Sequence, residues 1–239
     1  MNEKELKTST KQRVVIIVIA VLMLGSIIAS YAAIIMNGSK SGSGASESNV
    51  DQAKIAEYEA AYDKKEAEFI EATKGDFERF IKYKSEIKAY NEATANSGGV
   101  QTRDIEVGSG RTLVSGDSDY LAYYVGWCAD ESVFDSSFND KTNPTGFARI
   151  LDASLGMIEG WNLGVEGMKI GGIREVTIAS ELAYKDQMEI CGGYNKPLKF
   201  MIMTKAKEGS LAILAKELEA AYMKLQYAYY GIDYDTVGE

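Results

Sequence analysis

Histidine is missing altogether from the 239 residues of this chain. Its absence removes the imidazole general base, the Ser-His-Asp and Cys-His nucleophilic pairs, and most zinc sites except those built from cysteine or carboxylate. Cysteine occurs only twice, which excludes an all-cysteine zinc site, so no metal and no cofactor is expected. Positive charge is also scarce: 26 Lys and Arg against 35 Asp and Glu leave a formal net charge of −9. No basic run interleaved with aromatics interrupts the main body, and a surface that tracks nucleic-acid phosphates is set aside. P-loop, HExxH, GxSxG and EF-hand patterns do not occur. Any chemistry here must proceed without these devices.

What is present begins with an apolar run. A hydrophobic content of 46% suffices for one well-cored domain with extensions. From Val14 to Met36 the chain reads VVIIVIAVLMLGSIIASYAAIIM, and at about 1.5 Å per residue this covers the roughly 30 Å hydrocarbon core of a bilayer. Lys4, Lys7, Lys11 and Arg13 precede it, and the positive-inside rule then predicts a cytoplasmic basic tail over 1–13. Residues 14–36 are expected to be a single-pass cell-membrane anchor, with everything beyond it extracytoplasmic. The rival is a cleaved signal peptide, but the run is longer than the roughly 7–15 residues of such an apolar region. Residues 37–49, NGSKSGSGASESN, read as a flexible Gly/Ser linker.

Beyond the linker, Ile55, Tyr58, Tyr62 and Phe69, then Phe77, Phe80, Ile81, Ile87 and Tyr90, recur at helical spacing. They predict a helical segment over 50–97 of one or two amphipathic helices, with a break at Gly75. A dimerising coiled coil is disfavoured because the heptad lapses at Lys65. The stretch ATANSGG, ending at Gly99, marks a boundary. YLAYYVGW (120–127), IREVTI (173–178) and LKFMIMT (198–204) carry the aromatic and β-branched content of strands. With no long helices alternating between them, the class is α+β with an antiparallel sheet. Leu211, Leu214, Leu218, Tyr222, Leu225 and Tyr229 predict an amphipathic helix over 210–230, within a C-terminal segment of 208–239. Its expected partner is the earlier helical segment or the sheet.

One of the two tryptophans lies in GMIEGWNLGVEG (156–167), where glycines weaken a helix. Met157, Ile158, Trp161, Val165 and Met168 share a helical face, while Gly160, Gly164 and Gly167 allow a neighbour to approach closely. On these residues alone Trp161 is a core tryptophan on a helix packed against a sheet. The surrounding segments change that reading. YYVGW (123–127), VFDSSF (133–138), GMIEGWNLGVEGMKIGG (156–172), REVTIASELAY (174–184) and PLKFMI (197–202), in this order and spacing, resemble the FKBP-type peptidyl-prolyl cis/trans isomerases over about residues 104–207.

The resemblance implies an FKBP-like antiparallel half-barrel wrapped around one short helix, spanning 100–207, with Trp161 as the floor of an apolar cavity. It implies a catalytic set of Tyr124, Phe134, Asp135, Ile158, Trp161 and Tyr184, with Met157 and Phe200 binding substrate. The Ile158 backbone N–H is expected to meet a substrate carbonyl. Asp135 has two readings, a wall group orienting Tyr124 or substrate, and a cap on the turn through Ser136 and Ser137. The loop KDQMEICGGYNK (185–196) departs from the family pattern, and so does the spacing before Trp161, which leaves the place of Phe147 open. Cys128 and Cys191 are either bridged, as an oxidising exterior permits, or buried free thiols.

Prolyl isomerisation suits a chain without histidine. Twisting an X-Pro amide costs about 18–20 kcal/mol of barrier but breaks no bond. The expected function is therefore isomerisation that assists folding of exported or surface proteins, with proline-containing polypeptides as partners, the membrane engaged through the N-terminal helix, and no nucleic acid. The alternatives are a non-catalytic FKBP-like binding module or holdase, and a stalk protein that oligomerises through its helices. Oligomeric state is left open.

Overall fold

The computed structural model describes residues 51–138, 146–232 and 234. The basic tail at 1–13, the anchor at 14–36 and the linker at 37–49 lie outside the described residues. Among the described residues no helix is long and apolar enough to cross a membrane.

The chain enters helix α1, Gln52–Ile81, through Asp51, whose Oδ1 accepts from the N–H of Ala53 at 3.0 Å and Lys54 at 3.2 Å. These bonds satisfy N–H groups that a helix start leaves orphaned. The helix runs unbroken through Gly75, correcting the expected break. A methyl there would meet nothing within 4 Å, so the glycine costs only about 1 kcal/mol of propensity. The buried side chains Ile55, Phe69, Thr73 and Phe80 hold the helix together across it. The helical spacing to Ile87 and Tyr90 does not continue the helix. A 3-10 turn at Lys84–Glu86 is followed by extended chain, and the short helix α2, Glu92–Ser97, is capped by Asn91. Tyr90 serves tertiary packing instead, partly buried against the core with its hydroxyl donating to the Pro197 carbonyl at 2.9 Å.

Six strands follow among the described residues: β1 Val100–Glu106, β2 Tyr120–Trp127, β3 Val133–Ser136, β4 Leu151–Asp152, β5 Ile173–Ile178 and β6 Leu198–Ala206. They pair antiparallel in the order β1-β5-β6-β2-β3, with β4 on β2. The two strands predicted at 120–127 and 173–178 fall at those bounds, and the third extends past 204 to Ala206. β1 was not expected. Its sequence VQTRDIE has mostly exposed side chains, and an edge strand with little to bury carries little apolar signal.

All eight residues of β2 are buried, because both faces of the sheet are covered and each alternate side chain meets a different core. Tyr120, Ala122 and Tyr124 join Val176, Ile178, Leu198, Phe200 and Ile202 on one face. Tyr123, Val125 and Trp127 join Ile173, Met201 and Met203 on the other.

Helix α3, Glu159–Val165, lies on the first face. A methyl on Gly160 would stand 2.1 Å from a methyl of Ile178, and one on Gly164 would stand 2.3 Å from a methyl of Val176. Both glycines therefore let the helix backbone press against β5. Gly167 acts otherwise: its φ of 75° turns the chain out of the helix, as only glycine does without strain. Met157, Ile158 and Met168 thus flank a helix shorter than their spacing suggested. Arg174 of β5 ties down its C-terminal end, donating to the carbonyls of Gly164 at 3.1 Å and Glu166 at 2.9 Å, while a two-bond pair with Asp104 holds its own guanidinium.

Helix α1 covers the second face together with helix α4, Gly209–Tyr229. Phe69 and Phe80 are fully buried there among Tyr123, Trp127 and Met201, each stabilising the fold by about 1.5–3 kcal/mol. The two helices also meet each other, through Lys65 and Glu217 at 2.7 Å and the rings of Tyr62 and Tyr222 at 5.9 Å.

Candidate active site

Four aromatic rings meet on the α3 face of the sheet. Trp161, from the first turn of α3, stands edge-to-face with Tyr124 of β2 at 5.6 Å and with Phe200 of β6 at 5.3 Å. Phe134 of β3 meets Phe200 at 5.5 Å with planes at 90°. Such geometry sets the positive ring edge on the negative ring face and adds about 0.5–1.5 kcal/mol per pair beyond burial. Gly126 makes the arrangement possible, because a methyl there would lie 2.5 Å from Phe134 and 2.8 Å from Phe200. Met157, Ile158, Tyr184, Ile190 and Cys191, partly buried, complete the apolar surround.

Beneath the floor, the Trp161 indole N–H donates to the Tyr120 hydroxyl at 2.9 Å. The floor is therefore fixed in rotation as well as in place. Ile158 caps α3 and its carbonyl accepts from Trp161 at 3.0 Å. Among the described residues its own N–H donates to no main-chain acceptor, which leaves a helix-start donor beside the aromatic floor.

The polar wall is a hydrogen-bonded network built on Tyr124, Asp135 and Arg149. Asp135 accepts from the Tyr124 hydroxyl and from the Arg149 guanidinium, and Arg149 also bonds the Tyr124 oxygen at 2.9 Å. Asp135 accepts from the Ser136 N–H at 2.9 Å as well, so wall group and turn cap, posed as alternatives, describe the same carboxylate. Burial drives the Tyr124 phenol well above its ordinary pKa, against the pull of Arg149 and with the help of Asp135. Tyr184 is raised by burial and then by Asp135. Burial works to lower the Arg149 guanidinium, but its contacts with Tyr124 and Asp135 hold it above its ordinary value.

The structure thus brings together Tyr124, Phe134, Asp135, Met157, Ile158, Trp161, Tyr184 and Phe200, the whole set the resemblance implied. Phe147 is not among them. It is fully buried on the opposite face, stacked on Tyr123 at 3.9 Å. Arg149 and Tyr120 were missed. Arg149 stands in a stretch whose spacing departs from the family, and Tyr120 looked like one more strand aromatic. Cys128, at the end of β2, is bridged to Cys191 with Cα atoms 5.4 Å apart, which joins the loop following Tyr184 to the sheet.

A depression of about 360 Å³, lined by Tyr90, Asn91, Arg103, Glu175 and Lys199, lies on the other side of the sheet. Its charges are paired among themselves, Glu175 with both Arg103 and Lys199, and it has no part in the aromatic cleft.

The chain is similar to several known proteins. The model of the FKBP-type peptidyl-prolyl cis-trans isomerase family matches residues 110–205. An FK506-binding protein of Neisseria meningitidis serogroup B is 38% identical over 90 residues, covering 36% of this chain and 75% of that protein. FK506-binding protein 4 of Gibberella zeae is 42% identical over 87 residues, which is only 16% of its length. The solved structure of AtFKBP13 shares 32% identity over 45% of this chain and 92% of its own, with a TM-score of 0.34. An identity of 38% that covers 75% of the Neisseria protein, together with the family match over residues 110–205, places the chain in the FKBP-type peptidyl-prolyl cis-trans isomerase family.

Proposed function

We propose that this isomerase seats the substrate proline ring on Trp161, between Tyr124, Phe134 and Phe200, with Met157 and Ile158 along one rim and Tyr184 along another. The Ile158 N–H receives a substrate carbonyl, and Asp135 with Arg149 sets the Tyr124 hydroxyl. The twisted amide is less conjugated than the planar one, so its carbonyl is less polar and loses less on entering a dry cleft. Such a site favours the twisted state over the planar ground state. Removing about 4 kcal/mol of barrier gives roughly a thousandfold acceleration. The four-ring cleft beside the Tyr124–Asp135–Arg149 wall is the observation that carries this reading.

The clients are taken to be exported or surface polypeptides, met outside the membrane by a domain held on a single-pass anchor at 14–36 with its N-terminus cytoplasmic. The uncharged run from Val14 to Met36 and the lysines before it support this placement. Protease added to intact spheroplasts then degrades the domain beyond residue 48, and full protection rules the orientation out.

A protease-coupled assay with proline peptides on the full chain tests the site. The wild-type chain accelerates isomerisation, Phe134→Ala and Trp161→Ala each lose most of that acceleration, and FK506, for which the two relatives are named, competes with the peptide. An unaltered rate in folded Phe134→Ala would sink the residue assignment.

A further inference from the structure

The polar wall of the cleft is assembled from the segments on either side of residues 139–145: Asp135 lies before them and Arg149 after them, and main-chain bonds join the two segments. Phe138 and Phe147 face each other as an antiparallel bridge, and the Ala148 N–H donates to the Ser137 carbonyl at 2.8 Å. The Ser137 N–H in turn donates to the Tyr124 carbonyl at 2.8 Å. Where the Phe138 and Phe147 backbones sit therefore decides where Asp135 and Arg149 meet the Tyr124 hydroxyl.

Those two phenylalanines point away from the cleft and are gripped by α1. Phe77 stands edge-on to Phe138 at 5.9 Å and to Phe147 at 5.4 Å, and Phe80 stands 5.8 Å from each. Tyr123 closes the stack from the sheet side. Helix α4 lines the same core through Leu214 and Leu218, and its Tyr222 phenol is raised by burial. Phe138, Phe147, Asp135 and Arg149 lie within the family-matched residues 110–205, whereas Phe77, Phe80 and Tyr222 lie outside them.

We propose that α1 is a positioning element of the isomerase site, with Phe77 and Phe80 clamping Phe138 and Phe147 and thereby holding Arg149 and Asp135 on the Tyr124 hydroxyl. The proposal rests on the isomerase reading of the cleft and adds to it a role for a helix beyond the family-matched region. Phe147 precedes Arg149 by two positions, so a shift of its backbone is passed on to the guanidinium almost undiminished. Misplacing a positioning group by about 1 Å costs on the order of a hundredfold in rate. A partial loosening of the clamp is expected to cost about tenfold.

The test uses the full chain and two readouts, kcat/KM for a proline peptide and the Arg149 Nε–H cross-peak in a nitrogen-15 spectrum, assigned by its loss in Arg149→Lys. Phe77 is only partly buried, so Phe77→Ala is expected to fold. It should move the cross-peak and lower kcat/KM about tenfold, with Phe77→Leu restoring most of both. Leu225→Ala, which removes a buried side chain of α4 packed with Ile55 and Ala228 in a separate cluster, should lower the melting point and leave both readouts in place. In an Arg149→Ala background Phe77→Ala should cost nothing further, because both act through one contact. An unmoved cross-peak and unchanged kcat/KM in folded Phe77→Ala overturn the proposal, as does a full additional loss in the Arg149→Ala background. If Phe77→Ala does not fold, Phe77→Val, which keeps less of the ring's volume than Phe77→Leu, is read against the same two outcomes. A wild-type chain no faster than the uncatalysed reaction overturns the isomerase reading and this proposal with it. An active wild type with an indifferent Phe77 overturns the proposal alone.

Discussion

The Trp161 indole N–H and the Tyr120 hydroxyl are 2.9 Å apart, with both side chains almost wholly buried. Tyr120→Phe keeps the ring and removes the acceptor, leaving a buried donor without a partner. The expected cost is about 1–3 kcal/mol in chemical denaturation, together with altered tryptophan fluorescence as the indole loses its bond. A variant within about 0.5 kcal/mol of the parent, the range of an ordinary surface change, would mean that this bond does not hold the floor.

The Cys128–Cys191 bridge closes a long loop, the two residues being 63 apart in sequence. Chain-entropy arguments put the stabilisation from such a loop at about 4 kcal/mol. Reductant should lower the denaturation midpoint by much of that amount. Because Cys191 and Ile190 pack against the aromatic cluster, KM for a proline peptide should rise in the reduced protein more than kcat falls. Equal midpoints with and without reductant would contradict the expectation.

No side chain of this protein has an ordinary pKa between about 5 and 8, the range in which histidine titrates, and burial holds Tyr124 and Tyr184 above their ordinary values. The rate should accordingly be flat over that range. At alkaline pH the linkage has a definite sign. Burial pushes Tyr120 up to about 12 in the folded state, partly offset by its bond from Trp161, against an ordinary phenol value of about 10. Its contribution to stability is complete below about pH 10 and is lost as pH rises towards about 12. Denaturation midpoints measured across that window should fall while the neutral-pH rate profile stays level. A bell-shaped rate profile centred near neutrality would point to a titrating group that this cleft does not contain.

The elements most readable in sequence were those whose signal is local. β2 and β5 are rich in aromatic and β-branched residues, and α4 repeats leucine and tyrosine at helical spacing, so each announced itself. β1 did not, because an edge strand with exposed side chains has nothing apolar to repeat. Gly75 was expected to break α1 because propensity counts against it, but burial of Phe69 and Phe80 on either side overrides so small a cost. Gly160 and Gly164 were legible as close-approach positions, whereas Gly167 looked the same on paper and proved to be a turn.

By itself the sequence determined that no imidazole chemistry is available and that Trp161 lies on a glycine-bearing helix packed against a sheet, because residue type and near-neighbour spacing carry that information. The wrapping of the sheet around that helix and the aromatic residues that accompany Trp161 were implied by the resemblance to the FKBP-type isomerases. Only the tertiary structure decided that Arg149 joins Asp135 and Tyr124, that Tyr120 anchors Trp161, that Phe147 turns to the α1 face, and that the two cysteines meet. In a strand, side-chain direction reverses at every residue, so one extra residue in a connection exchanges cleft for back face without leaving a local trace. Contacts between distant segments depend on that register, and register is set when the whole sheet pairs.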